Sequence, residues 1–255
     1  MLSKAPLVLV LAQIRFSPLM AMGDYISKIQ DALRRSGYPI NNTAQVQEIS
    51  FGAQSAPKSS VMWRWEFLSK ERTYGVVVNE GFVVVQTSAY TDFDEFHERI
   101  VQAAEIISNV VGGLLVTRIG LRYVDLIRPQ ESDSWDQYVQ PGLHGFIGQH
   151  YVEPPLQLHQ ASGATTVGQM HVRLIQNRDG IFLPPDLATD TLTFPLQPEL
   201  KPNELLTIVD MDHFTEMSVD FDQMAVRQLL WQLKNVAHKT FMEELVTPHA
   251  LKVWE

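Results

Sequence analysis

The 255-residue chain reads as an α+β protein of two pseudo-repeated halves, each a mostly antiparallel sheet with a long packed helix. Three observations lead there. Several short segments alternate apolar and polar residues with the period of a half-buried strand. Two long segments instead carry an apolar stripe at helical spacing. The order strand, helix, antiparallel strands, long helix occurs twice. The boundary falls near Gly112-Gly113, which gives halves over 1–112 and 113–255.

In the first half, residues 6–16 are rich in Val, Leu and Ile and read as a buried strand that Ser17-Pro18 ends. A helix over 21–36 carries Tyr25, Ile26, Ile29 and Leu33 on one face and stops at Gly37 and Pro39. A strand near 44–51 follows. Over 60–68, Trp63, Trp65 and Phe67 alternate with Arg64 and Glu66. Segments 73–78 and 82–89 form a hairpin around Asn79-Glu80-Gly81. Asp92 caps a helix over 93–111, whose stripe is Phe93, Phe96, Ile100, Ala103 and Ile107.

The second half opens on a strand over 114–127. A short helix is expected near 134–140, and a strand around 155–160 within a segment rich in Pro, Gly and His. Residues 167–176 alternate again, with Met170, Val172 and Leu174 opposing Gln169, His171 and Arg173. A proline-marked loop leads to a strand over 204–212. A final helix over 220–245 turns Val226, Leu229, Leu230, Leu233, Ala237 and Phe241 inward. Two local echoes join the halves: Asp92-Phe93-Asp94 with Asp220-Phe221-Asp222, and Ile14-Arg15-Phe16 with Leu121-Arg122-Tyr123. Two such units pair their sheets about a pseudo-twofold axis. The competing arrangement is two ferredoxin-like halves.

Composition narrows the function. With no cysteine, the chain has no disulfide, thiolate metal site or cysteine nucleophile, which fits the cytoplasm. A net charge of −9 repels phosphate backbones and disfavours broad nucleic-acid binding. No apolar run reaches membrane-spanning length. The stretch Pro6–Ala12 imitates a signal peptide, but Gln13-Ile14-Arg15-Phe16 continues it as a strand.

Candidate ligand-binding residues are Arg15, Arg118 and Arg122, on apolar strands, with His159, His171 and Arg173 on the polar faces of strands that neighbour each other. A guanidinium on an inner strand needs an anion or a carboxylate partner. The alternatives are a phosphate cradle and an internal pair with Asp125, Glu66 or a helix carboxylate, and the internal pair is preferred. Asp210 and Asp212 share one face beside His213, as magnesium ligands or as an exposed strand end. Trp63-Arg64-Trp65 has the composition of a base-stacking patch, but its tryptophans share a face with Phe67 and read as core. No phosphate loop, nucleophile elbow, helix-turn-helix or zinc module occurs, and no cofactor is expected.

The segments Pro6-Leu7-Val8 … Ile14-Arg15-Phe16, Arg118-Ile119-Gly120-Leu121-Arg122-Tyr123 and Asp220-Phe221-Asp222 resemble a sporadically distributed family of small bacterial proteins of unknown function. Members tend to carry glutamates on the first strand, where this chain has Leu9 and Gln13. The resemblance implies an accessory role linked to defence or mobile elements and no particular reaction.

The expected function is a non-enzymatic binding or interaction protein. An enzyme or binder acting on phosphorylated or nucleic-acid ligands, and a small-molecule sensor, are the alternatives. The tail Val246, Leu251, Val253 and Trp254 is apolar. It is expected to pack on its own domain or on a second copy, with a homodimer favoured.

Overall fold

The computed structural model describes residues 4–52, 55–146, 150–152, 155–187, 189–195 and 200–255, with the backbone alone over those of 46–61. Nine strands form one sheet: β1 (Leu7–Phe16), β2 (Ile40–Gly52), β3 (Ser55–Leu68), β4 (Tyr74–Val78), β5 (Phe82–Thr87), β6 (Leu115–Ile127), β7 (Leu158–Ala164), β8 (Gln169–Asn177) and β9 (Leu206–Asp220). Their order is β2-β3-β4-β5-β1-β6-β9-β8-β7, and every neighbouring pair is antiparallel. Outward from the central β1–β6 pair the strands run β5, β4, β3, β2 on one side and β9, β8, β7 on the other.

Helices α1 (Met22–Arg35), α2 (Phe93–Val111) and α3 (Gln223–Lys239) cover one face. The strand period decides which strand residues meet them. Val10, Ala12 and Ile14 of β1, Ile119 and Leu121 of β6, and Val83 and Val85 of β5 point into the helical layer. Trp65 and Phe67 join them, while Trp63 stacks on Trp65 with 45% of its surface exposed. This core runs without a break across the Gly112-Gly113 junction.

The ends of α2 follow from two residues. The Asp92 carboxylate accepts a 2.8 Å hydrogen bond from the Glu95 amide. Such a cap contributes about 1 kcal/mol. Gly112 takes φ +86°, a left-handed conformation that suits glycine, and its amide donates to the Ser108 carbonyl.

The final helix departs from the sequence expectation at both ends. Strand β9 continues to Asp220, so α3 starts at Gln223, with Asp222 as its cap. At its far end α3 passes into a π-helical turn, Thr240–Leu245. A further helix, α4 (Pro248–Trp254), then folds back. Val246, Ala250 and Trp254 are buried against Tyr138 and Phe241. The tail therefore packs on its own chain, which removes the reason for expecting a second copy there. Only a single 3-10 turn, Trp135–Gln137, stands where a helix near 134–140 was expected. Among the described residues no helix is long and apolar enough to cross a membrane.

Candidate functional site in the open face of the sheet

Among the described residues the second face of the sheet carries no α-helix, only the 3-10 turn Pro185–Leu187. Part of it is covered by the connection between β8 and β9, which lays Phe182, Leu183, Leu192 and Phe194 on Leu9, Val124, Leu126 and Ile208. The rest is a cleft of about 1130 Å³ over β1, β6 and the β3–β5 strands. Its floor mixes Leu11, Val77 and Val84 with Gln13, Arg15, Arg118 and Arg122.

Register places the charged groups. Arg118, Gly120 and Arg122 share this face of β6, and Asp210, Asp212 and Phe214 share it on β9. Arg122 bonds Asp210 on the next strand, with Nε to Oδ1 at 2.7 Å and Nη2 to Oδ2 at 3.1 Å. Its other donors reach Asp186, carried by the β8–β9 connection, at 2.6 and 3.1 Å. Arg173 on β8 bonds the same two carboxylates. The result is a closed set of two guanidiniums and two carboxylates. Partial burial alone would raise the Asp186 pKa. The hydrogen bonds and charges of Arg122 and Arg173 outweigh it and hold the carboxyl at about 2.

Arg118 bonds Asp212 at 2.9 Å and lies 4.0 Å above the Phe214 ring. His171 stacks on the same ring with centroids 5.3 Å apart. Gly120 leaves the stack room, because a Cβ there would lie 3.1 Å from both the Arg118 guanidinium and the Phe214 Cβ. Burial lowers the Arg118 pKa; the charge of Asp212 opposes this, and that of Arg15 adds to it.

The structure thus brings Arg15, Arg118, Arg122, Arg173 and His171 to one face, and His159 departs from them. In the β7–β8 register His171 stands opposite Ser162 and His159 opposite Leu174, so His159 points to the helical side. Among the described residues its Nε2 is buried without a hydrogen-bond partner. His171 bonds Ser162 at 2.7 Å. The two histidines therefore lie on opposite faces. Asp210 and Asp212 serve Arg118, Arg122 and Arg173, and Asp125 and Glu66 do not, although Glu66 lies 3.8 Å from Arg64. Glu66 accepts from Gln86 at 3.1 Å and from Thr191 at 2.8 Å. Asp186 went unrecognised because a proline-rich loop gives no sign of which face it covers.

Arg15 differs from its neighbours. Arg64, Arg118, Arg122 and Arg173 each have a carboxylate within 4.0 Å. Arg15 has none among the described residues and bonds only the Gln13 side chain, at 3.0 Å.

Compared with known proteins, the chain matches no family model, and no curated protein is significantly similar to it. Among the described residues no three His, Asp or Glu side chains are arranged to hold a metal ion.

Proposed function

We propose that this chain is a non-enzymatic binding protein of the cytoplasm whose ligand occupies the cleft on the open face of the sheet. The observation that carries the reading is the cleft itself. Among the described residues nothing covers a space of about 1130 Å³ over a mixed polar and apolar floor at the centre of the sheet, beside the part of the same face that the β8–β9 connection closes. Such concave sites, largely apolar with a few placed polar groups, suit a small molecule or an extended segment. The pairing of Arg122 and Arg173 with Asp186 and Asp210 makes those arginines part of the frame that holds the cleft open. The strand order outward from β1 and from β6 supports two pseudo-repeated halves, 1–112 and 113–255. An accessory role in defence or mobile elements rests on the family resemblance alone.

Native mass spectrometry of the purified protein tests the reading, through a bound molecule that denaturation releases. Nuclease and phosphatase assays with divalent metal test the competing class. Turnover that Arg15→Ala abolishes, with the fold intact, would make the chain an enzyme and overturn the proposal.

A further inference from the structure

We propose that Arg15, Gln13 and Arg118 form an anion site in the floor of the cleft. Its ligand is an amphipathic molecule with one carboxylate, sulfonate or phosphate group and an apolar body. The inference rests on the cleft being a binding site and adds the chemical class of what it holds.

Arg15 and Arg118 stand directly opposite each other across β1 and β6. Like charges in that position are destabilising. A side-chain oxygen sits between them: Gln13 Oε1 accepts from Arg15 Nε at 3.0 Å and from Arg118 Nη1 at 2.8 Å. A neutral amide thus occupies the point where two guanidiniums converge, and where a carboxylate would balance them. Because the oxygen faces both arginines, the Gln13 amide nitrogen points away, and it bonds no protein group among the described residues.

The ion pairs leave Arg15 over. Arg118 has Asp212, and Glu216 lies opposite it on β9 as a more distant charge. Arg15 has no carboxylate partner. In a chain of net charge −9, Arg15 lines the cleft as a cation without a carboxylate in ion-pair reach among the described residues. One anion against the free edges of Arg15 and the Gln13 NH₂ would satisfy both donors and relieve the Arg15–Arg118 repulsion. Leu11, Phe82 and Val84 line the cleft beside this point and offer an apolar wall for the rest of the ligand.

Two fluorescent probes of similar shape test the inference: anilinonaphthalene sulfonate, an anion, and phenylnaphthylamine, its neutral counterpart. Both are titrated into the wild type, Arg15→Gln and Gln13→Glu, with circular dichroism confirming each fold. Both probes should bind the wild type. Each substitution should weaken the sulfonate by about tenfold or more and leave the neutral probe within about twofold. Gln13→Glu should also raise the thermal midpoint, because it places a carboxylate between the two cations. Displacement of the sulfonate by phenyl phosphate in preference to benzoate assigns the ligand a phosphate, and the reverse a carboxylate. If both probes bind and the substitutions affect them equally, the anion site is wrong and the cleft reading survives. If neither binds the wild type, both fail.

Discussion

Arg122 and Asp210 face each other diagonally across β6 and β9 through two hydrogen bonds, with Asp210 only 2% exposed. Removing one member of such a pair leaves the other's charge buried. Arg122→Leu should therefore lower unfolding free energy by about 3–5 kcal/mol, toward the low end because Arg173 still holds Asp210. Arg122→Leu with Asp210→Leu should recover part of the loss. Urea unfolding of the two variants measures this. A neutral single substitution would show that the pair is not structural.

Asp125 predicts a pH dependence. It is 4% exposed on the helical side and makes no ion pair among the described residues. Burial, with the Asp210 charge adding, pushes its pKa up to about 8. A folded value above the unfolded one means stability that is complete below the unfolded pKa and is lost as pH rises to the folded value. Asp125→Asn should gain on the wild type by up to about 1.4 kcal/mol per pH unit between pH 4 and 8, and then level off. Denaturant unfolding at pH 5, 6.5 and 8 reads the slope. A constant difference would refute the buried-acid assignment.

Two glycines should rank by what a Cβ would strike. At Gly168 it would meet the backbone carbonyl of Phe214, and at Gly120 the Arg118 guanidinium and the Phe214 side chain. A guanidinium can shift and a strand carbonyl cannot. Gly168→Ala should cost about 2–3 kcal/mol and Gly120→Ala less, by thermal melting. The reverse order would mean that the Arg118–Phe214 stack is more rigid than the strand beside it.

Trp254 packs on Phe241 and Tyr138, with ring centroids 6.2 and 5.9 Å away. Trp254→Ala should lower stability by about 3 kcal/mol. Light scattering should show the wild type and the variant in the same oligomeric state, because the tail is covered by its own chain. A change of state on substitution would place the tail in an interface.

The legible parts of the fold are those with local punctuation. Asp92 and Gly112 bracket α2 at the residues that the sequence names. Helix α3 is blurred because Asp220 and Asp222 both suit a cap, and only the length of β9 chooses Asp222. The site was legible as residues rather than as partners. Arg118 and Arg122 stand out as guanidiniums on an apolar strand. Asp210 and Asp212 stand out as a pair. That they answer each other depends on β6 lying beside β9, a long-range pairing that alternation cannot show. His159 and His171 were separated by parity, because shifting the β7–β8 register by one residue would have put both on one face.

The proposed ligand site is the floor of the cleft, over Gln13, Arg15 and Arg118. The most direct measurement is a nuclear magnetic resonance titration of the isotope-labelled protein with anilinonaphthalene sulfonate, followed at low saturation. The Gln13 side-chain amide and the backbone amides of Arg15, Phe82 and Arg118 should shift first and saturate together, while those of α2 and α3 stay in place. First shifts on the helical face, or on the exposed Phe146 and Tyr151, would contradict the account.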